Sequence, residues 1–443
     1  MKRHTLKKRA TQIKGPQIKG HIIKENQAGW KTIHIEGSPY ERGFAHGYLL
    51  YDELANTLKI YPFIINTVDA GKNTPSFDQY LETARTLIKP IIKTDFPEIY
   101  EELEGIAAGA VSRGTLITID FLIAWNSYMS LYTFNKSNIP NRCSVFIATG
   151  NSTETGEIIM AHTTHTNFLD GQLMNIILFM TPDKGHSFVM QTAAGLVASF
   201  TDWFICSTGI IGCESTISEI NYQPKFGAPF FCRIRTAMQY ATTMKEYTEI
   251  MLKNNAGDYP CSWLFGDINT NEIMLFEITL KESHIQKTKN GIFFGMNSTL
   301  DHNIRMKETK DEGWNDIETT TGARAKRLNH LLYDKYFGKI NVRNAKKILA
   351  DHYDAFLHQN KLNDRSICVH YENQDVNKNL YGCTDAKVTS STLAKQSKFF
   401  ARFGSACGRT FSMKKHIRKY PKYKKWKPYV HDFPSEPWVT ISG

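Results

Sequence analysis

From Ser38 to about Phe134, apolar positions recur at three-to-four spacing through ERGFAHGYLLYDELANTLKIYPFIINTV, FDQYLETARTLIKPIIKTDF and EIYEELEGIAAGAVSRG. That period stacks apolar side chains on one face of a helix, so this third of the chain is predicted to be helical throughout. Pro97, Gly105, Gly109 and Gly114 punctuate it, and DFLIAWNSYMSLYTF makes a last, largely apolar helix before the polar NKSNIPNR. At Cys143 the period changes. CSVFIATG and EIIMAHTTH are short β-rich runs flanking NSTETG, followed by NIILFM, HSFVMQTA, LVASF, ICSTGIIG, SWLFGDI, EIMLFEITL and GIFFGMN. These predict meandering antiparallel strands. Helical spacing returns in RIRTAMQYATTMKEYTEIMLKNN, GARAKRLNHLLYDKYFG and VRNAKKILADHYDAFL. Helices and strands are segregated rather than alternating, which places the chain in the α+β class with layered elements. Three regions follow: a basic arm (1–30), a helical segment (31–142) and an α+β body (143–443).

With 443 residues, 41% of them apolar, the chain can bury a large core, as one elaborate domain or two to three simpler ones. No window approaches the roughly 18 consecutive apolar residues of a membrane span. The start, MKRHTLKKRATQIKG, lacks the apolar stretch of a secretory signal, so a soluble, cytoplasmic protein is expected. The eight cysteines (143, 206, 213, 232, 261, 368, 383, 407) contain no CxxC pair. They read as reduced, mostly packed thiols, the C-terminal 368, 383 and 407 included, with no zinc site, other metal or organic cofactor expected.

The net charge of +11 is uneven, because Lys2, Arg3, Lys7, Lys8, Arg9, Lys14, Lys19 and Lys24 precede the first acid, Glu25. A second basic stretch, Lys414 to Pro428, interleaves Tyr420, Tyr423 and Trp426 with lysines. Stacking rings among cations is the composition of a nucleic-acid surface. The plainer alternative is a charged face whose rings pack on the body.

The candidate chemistry centres on NRCSVFIATG, where a cysteine follows a polar loop and begins a strand. If CSVFIATG and EIIMAHTTH form one hairpin about a turn near Ser152 to Thr155, Cys143 faces His165, and a slip of one residue favours a neighbour. Either register brings His162 to Asn167 alongside the cysteine, offering imidazole and amide groups to orient a thiolate or hold an oxyanion. A buried strand cysteine beside two surface histidines is the alternative.

NRCSVFIATG, MAHTTHTNF, SFTDWF, CESTI, YPCSWLFGDINTNEI, TGARAKR and FFARFGSACG, in this order, resemble successive motifs of the phospholipase B-like and penicillin acyltransferase-like hydrolases. GSPYERGFAHG and ELEGIAAGA resemble that family's N-terminal half, so the similarity spans nearly the whole chain. The resemblance implies an N-terminal-nucleophile fold, a four-layer αββα sandwich, made as a precursor that cuts itself at Arg142-Cys143. It implies Cys143 as nucleophile, with its freed α-amine, of unperturbed pKa about 7.7 to 8, as general base. It also implies that His162 orients or polarises and that Asp202 holds the amine or substrate. Glu214, Thr216, Asn297 and Arg305 fall in family-like segments with supporting roles.

The chain departs from the family pattern at Cys261, where relatives tend to carry asparagine, and at His165, where they typically carry tryptophan. A thiol donates weakly where an oxyanion hole needs an amide. Backbone amides, Ser262 or Asn167 are the candidates to supply the missing donor, and Ser144 is a further supporting candidate. The leading expectation is therefore hydrolysis or transfer of an acyl group from a lipid, an N-acyl amide or a small acylated amine. The competing one is an impaired enzyme that binds anionic surfaces or nucleic acid through its basic arms.

Overall fold

The computed structural model describes residues 18–68, 75–135, 143–199, 203–370, 380–434 and 436–443. Arg142, Asp202 and residues 1–17 of the basic arm lie outside the described residues. The strands are β1 (Gly20–Gln27), β2 (Trp30–Gly37), β3 (Cys143–Gly150), β4 (Gly156–Asn167), β5 (Ile176–Pro182), β6 (Phe188–Thr192), β7 (Phe204–Cys206), β8 (Ile210–Thr216) and β9 (Cys261–Asp267). They continue as β10 (Glu272–Ile278), β11 (Ser283–Thr288), β12 (Gly291–Gly295), β13 (Tyr353–Asp354), β14 (Gln359–Asn360), β15 (Tyr381–Ser390), β16 (Phe399–Phe403) and β17 (Val439–Ile441).

Two main sheets result, one of nine strands in the order β1-β2-β5-β6-β7-β8-β9-β10-β11 and one of six in the order β12-β3-β4-β15-β16-β17. The α+β class holds. The sheets face each other: a Cβ added at Gly266 of β9 would meet Ile147 of β3 and Ile158 of β4 at 3.1 and 3.3 Å. Alternation then sorts each strand, with Cys143, Val145 and Ile147 turned toward the nine-stranded sheet. Phe146, Ala148, Ile159 and Ala161 face away, packed with Leu328, Leu331, Ile348 and Leu349 of the helices that cover that side. On the nine-stranded sheet, helices Phe230–Tyr240 and Met244–Leu252 set Phe230 against Trp263 and Tyr247 against Phe265.

The N-terminal third is more than helix. β1 and β2 form a hairpin, and β2 pairs in parallel with β5, so residues read as a basic arm enter the larger sheet. The alternation of GHIIKENQ is weak and half exposed, which hid it. Helix Pro39–Leu49 opens on a capping box, Ser38 and Glu41 each bonding the other's backbone N–H. It lies directly on helix Pro97–Ser112, where glycine is the contact surface rather than punctuation. A Cβ at Gly43 would come within 2.1 Å of the Glu102 carbonyl, and one at Gly109 within 2.1 Å of the Phe44 carbonyl. Between these helices Arg42 reaches Glu102 at 2.6 Å, and Arg235 joins from a third helix at 3.0 Å, all buried.

Three predicted runs break differently. The helical stretch after Arg233 stops at Tyr240 and restarts at Met244, because Thr243 and Glu246 form a second capping box. LVASF is not a strand in its described part, residues 196–199. VRNAKKILADHYDAFL is helical only to Leu349, since Asp351 and Asp354 accept the N–H groups of Tyr353 and Phe356 and turn the chain. In the basic C-terminal stretch Tyr423 and Trp426 are buried and Trp426 packs edge-on against Phe63, leaving the lysines, not the rings, outside. Tyr420 stays half-buried, so two of the three rings are withdrawn into the body. No helix among the described residues is long and apolar enough to cross a membrane.

Candidate functional site

Cys143 is the first residue of β3, and side chains from two other elements hold its backbone. Its N–H donates to Asn297 Oδ1 at 3.2 Å, and its carbonyl accepts from Arg324 Nη1 at 2.6 Å. Asn297 follows β12, which pairs with β3 from Gly291↔Thr149 to Gly295↔Val145. At φ 75° it occupies left-handed backbone, which asparagine tolerates better than most residues. Its amide donates to the Thr216 carbonyl at 3.1 Å and its N–H to Ser215 Oγ at 2.9 Å, fastening the turn to the end of β8.

Arg324, on helix Thr320–Asn329, is fully buried. Besides Cys143 it donates to Ser144 Oγ, the Met296 carbonyl and Asn297 Oδ1 at 3.2, 2.9 and 2.9 Å. These acceptors are all neutral, and burial lowers the guanidinium pKa to about 10. A cation so placed favours negative charge developing on Cys143 or on a group bound to it. The thiol faces Glu214 of β8, Sγ to Oε1 4.0 Å, and Oε1 also accepts from Tyr259 at 3.0 Å, whose hydroxyl lies 3.1 Å from Thr216 Oγ1.

Beside the thiol a polar cluster fills the space between the sheets. Cys143 pairs with Thr164, and Val145 with His162. Thr164 Oγ1 donates to Asp385 Oδ1 at 2.9 Å, and Lys387 Nζ reaches Asp385 at 2.6 Å, Thr164 at 3.1 Å and Gln191 at 2.5 Å. Gln191 belongs to β6 of the opposite sheet and also donates to Asp385, so it bridges the layers. His162 is wholly buried, beside Trp203 and the backbone of Glu214. Burial, with Lys387 adding to it, holds its pKa well below the usual imidazole range, so the ring is neutral.

The hairpin register decides what else joins. The hairpin closes on Gly150↔Gly156, and one extra residue in β4 before Ile159 then brings Thr164, not His165, opposite Cys143. The one-residue slip sends His165 to the other face, where its Nε2 lies 3.0 Å from Thr163 Oγ1 and burial lowers its pKa. Ser144, on that same face, is held by Arg324. Asn167 caps the short helix Phe168–Gly171, its Oδ1 accepting from Leu169. Ser262 donates to Glu277, and Cys261 to the Tyr259 carbonyl at 3.5 Å. Arg305 donates to the Thr299 carbonyl and stacks on Trp314 at 4.0 Å, a packing role. Cys143, His162, Glu214, Thr216 and Asn297 are therefore the predicted residues that come together.

Sequence reasoning missed Arg324, Thr164, Asp385, Lys387, Gln191 and Tyr259. For Arg324 a signal existed: GARA flanks it with small residues, and a Cβ at Gly322 would meet the Asp316 carbonyl at 2.1 Å, so the helix start packs closely. The reading of 368, 383 and 407 as separate packed thiols also changes, because Cys368 and Cys407 converge with two histidines.

No family model matches the chain. It is similar to an uncharacterized protein of Archaeoglobus fulgidus, 25% identical over 254 residues, covering 54% of this chain. The alignment takes in 41% of that protein, so the chain matches less than half of its relative's length.

Proposed function

We propose that the chain is a self-processing cysteine hydrolase of the N-terminal-nucleophile kind, cleaving or transferring the acyl group of an amide or ester through a thioester on Cys143. The observation that carries this reading is the hold on Cys143 itself, at a strand start, with its N–H on Asn297 and its carbonyl on Arg324. Any buried residue needs partners for its N–H and carbonyl, but here both are side chains, an amide and a guanidinium, from other parts of the chain. A nucleophile whose own nitrogen is part of the machinery needs such a hold.

In self-processing, Sγ attacks the Arg142 carbonyl and the Arg142–Cys143 C–N bond breaks. The nitrogen leaves as the α-amine, taking up the thiol proton. Water then hydrolyses the thioester, freeing the Arg142 carboxylate and restoring the thiol. The amine left behind occupies the place of the present N–H, on Asn297, and takes the thiol proton during later acyl transfer. Glu214 near the thiol favours the protonated amine, while the buried Arg324 charge favours thiolate and tetrahedral oxyanion. Neutral His162 serves as a wall and orienting group rather than as a cationic acid. Two facing sheets with helices on their outer sides support the four-layer αββα reading. The substrate class is an acylated amine or a lipid ester or amide.

Chromogenic acyl esters and anilides of increasing chain length test the proposal, with an acid quench to trap acyl-enzyme for peptide mapping. Turnover with the acyl group on Cys143, absent in Cys143→Ala, is expected. Equal turnover in that variant would remove Cys143 from the chemistry.

A further inference from the structure

The geometry points to a metal site at His352, Cys368, His370 and Cys407, which would bind one zinc ion, or a divalent ion of similar preference, in a tetrahedral Cys2His2 set. The four ligand atoms all lie within 4.8 Å of one another. His370 Nε2 is 3.5 Å from Cys368 Sγ and 3.4 Å from Cys407 Sγ. Zinc bonds of about 2.3 Å to sulfur and about 2.0 Å to nitrogen, opened to the tetrahedral angle, separate the two ligands by about 3.5 Å. The rings of His352 and His370 stand 5.1 Å apart at 52°, and His352 Nε2 is buried without a hydrogen bond. Two thiols and two imidazoles are the donor set of structural zinc and suit hard ions such as magnesium and calcium poorly.

The ligands come from three separate stretches, already tied together. The Asp351 carbonyl, next to His352, accepts from Cys368 N at 3.0 Å, and Arg327 grips the Asp351 carboxylate at 2.8 and 2.7 Å. The Val369 carbonyl, between the other two ligands, accepts from Cys383 N of β15 at 2.9 Å. Ala406 N, beside Cys407, donates to Cys383 Sγ at 3.3 Å. Cys383 Sγ is not one of the four converging ligand atoms, so it stands as an outer neighbour and not as a ligand. The site thus pins three loops to the outer face of β15. A bulge between Cys383 and Asp385 turns Cys383 to that side while Asp385 and Lys387 face the space between the sheets. Metal binding would thereby stiffen the strand that carries the polar cluster, without taking part in acyl transfer.

The test uses the full chain grown with zinc and assayed by elemental analysis after gel filtration, then reloaded with cobalt. About one zinc per chain is expected, with a cobalt spectrum showing thiolate charge-transfer bands and intense tetrahedral visible bands. Cys407→Ser and His352→Gln should each lower zinc content more than about tenfold, and Cys383→Ala should leave it unchanged. Should those variants fold poorly, the wild-type stoichiometry and cobalt spectrum still decide. Metal-free wild type that takes up no cobalt, zinc retained in both ligand variants, or a mass two hydrogens low with Cys368 disulfide-linked would each overturn the proposal.

Discussion

Arg324 Nη1 donates to the carbonyl oxygen of Cys143 at 2.6 Å, so a buried guanidinium that meets only neutral acceptors is fixed to the residue at the centre of the site. Replacing it with methionine leaves the Cys143 and Met296 carbonyls and Asn297 Oδ1 short of a donor. Arg324→Met is expected to lose about 2–4 kcal/mol of stability, seen as a lower urea midpoint, and to slow self-cleavage about 100-fold or more. Arg324→Lys keeps the charge but not the fork, and should recover stability before rate. Normal cleavage in Arg324→Met would reduce the residue to packing.

Asn297 combines a left-handed backbone with the acceptor for Cys143 N–H, and two substitutions separate these. Asn297→Gly removes the amide without strain, while Asn297→Ala adds about 1 kcal/mol of backbone cost. Both should abolish processing by mass spectrometry, with the glycine variant the more stable by about that amount. Processing that tracks stability instead of the amide would count against the proposed hold on the amine.

His46 Nε2 accepts from the Gly195 N–H at 2.8 Å, and burial holds its pKa at about 4 despite nearby Glu102. The folded value lies below the unfolded 6.5, so the unfolded chain binds more protons between them. Stability is full above about pH 6.5 and falls, by up to about 3 kcal/mol from this residue, as pH drops toward 4. His162 and His165, also held neutral by burial, act in the same direction. Urea midpoints followed from neutral pH downward should show this slope, and His46→Gln should make it shallower. An unchanged slope in that variant would mean that His46 does not titrate in this range.

Gly109 meets the Phe44 carbonyl at a distance no Cβ accepts, whereas nothing lies within 4 Å of a Cβ at Gly114, whose φ is +93°. Gly109→Ala should therefore force helix Pro39–Leu49 away and cost about 3 kcal/mol. Gly114→Ala should cost only about 1 kcal/mol, from backbone conformation alone. Equal thermal shifts in the two would contradict the close helix contact.

Much of this architecture could be read along the chain, and the failures share a cause. β3, β9 and β10 stand where apolar runs predicted them, because strands buried on both faces are long apolar runs. β1 and β11 are largely exposed, so they carried no such pattern. At the site, Cys143 begins β3 where its position in sequence put it, while His165 went astray because the turn closes at Gly150↔Gly156, tighter than the alternation suggested, and a one-residue shift moves every partner to the other face. Arg324, Lys387 and the metal-ligand set come from distant segments, and their convergence is a property of the packed sheets that no local spacing encodes. Asp202 and Arg142 lie outside the described residues.

The most direct test of the central claim is the intact mass of the purified protein, wild type beside Cys143→Ala. The account predicts two chains, residues 1–142 and 143–443, in wild type and a single uncut chain in the variant. Wild type that stays one chain after incubation across a range of pH would contradict a nucleophile freed at Cys143.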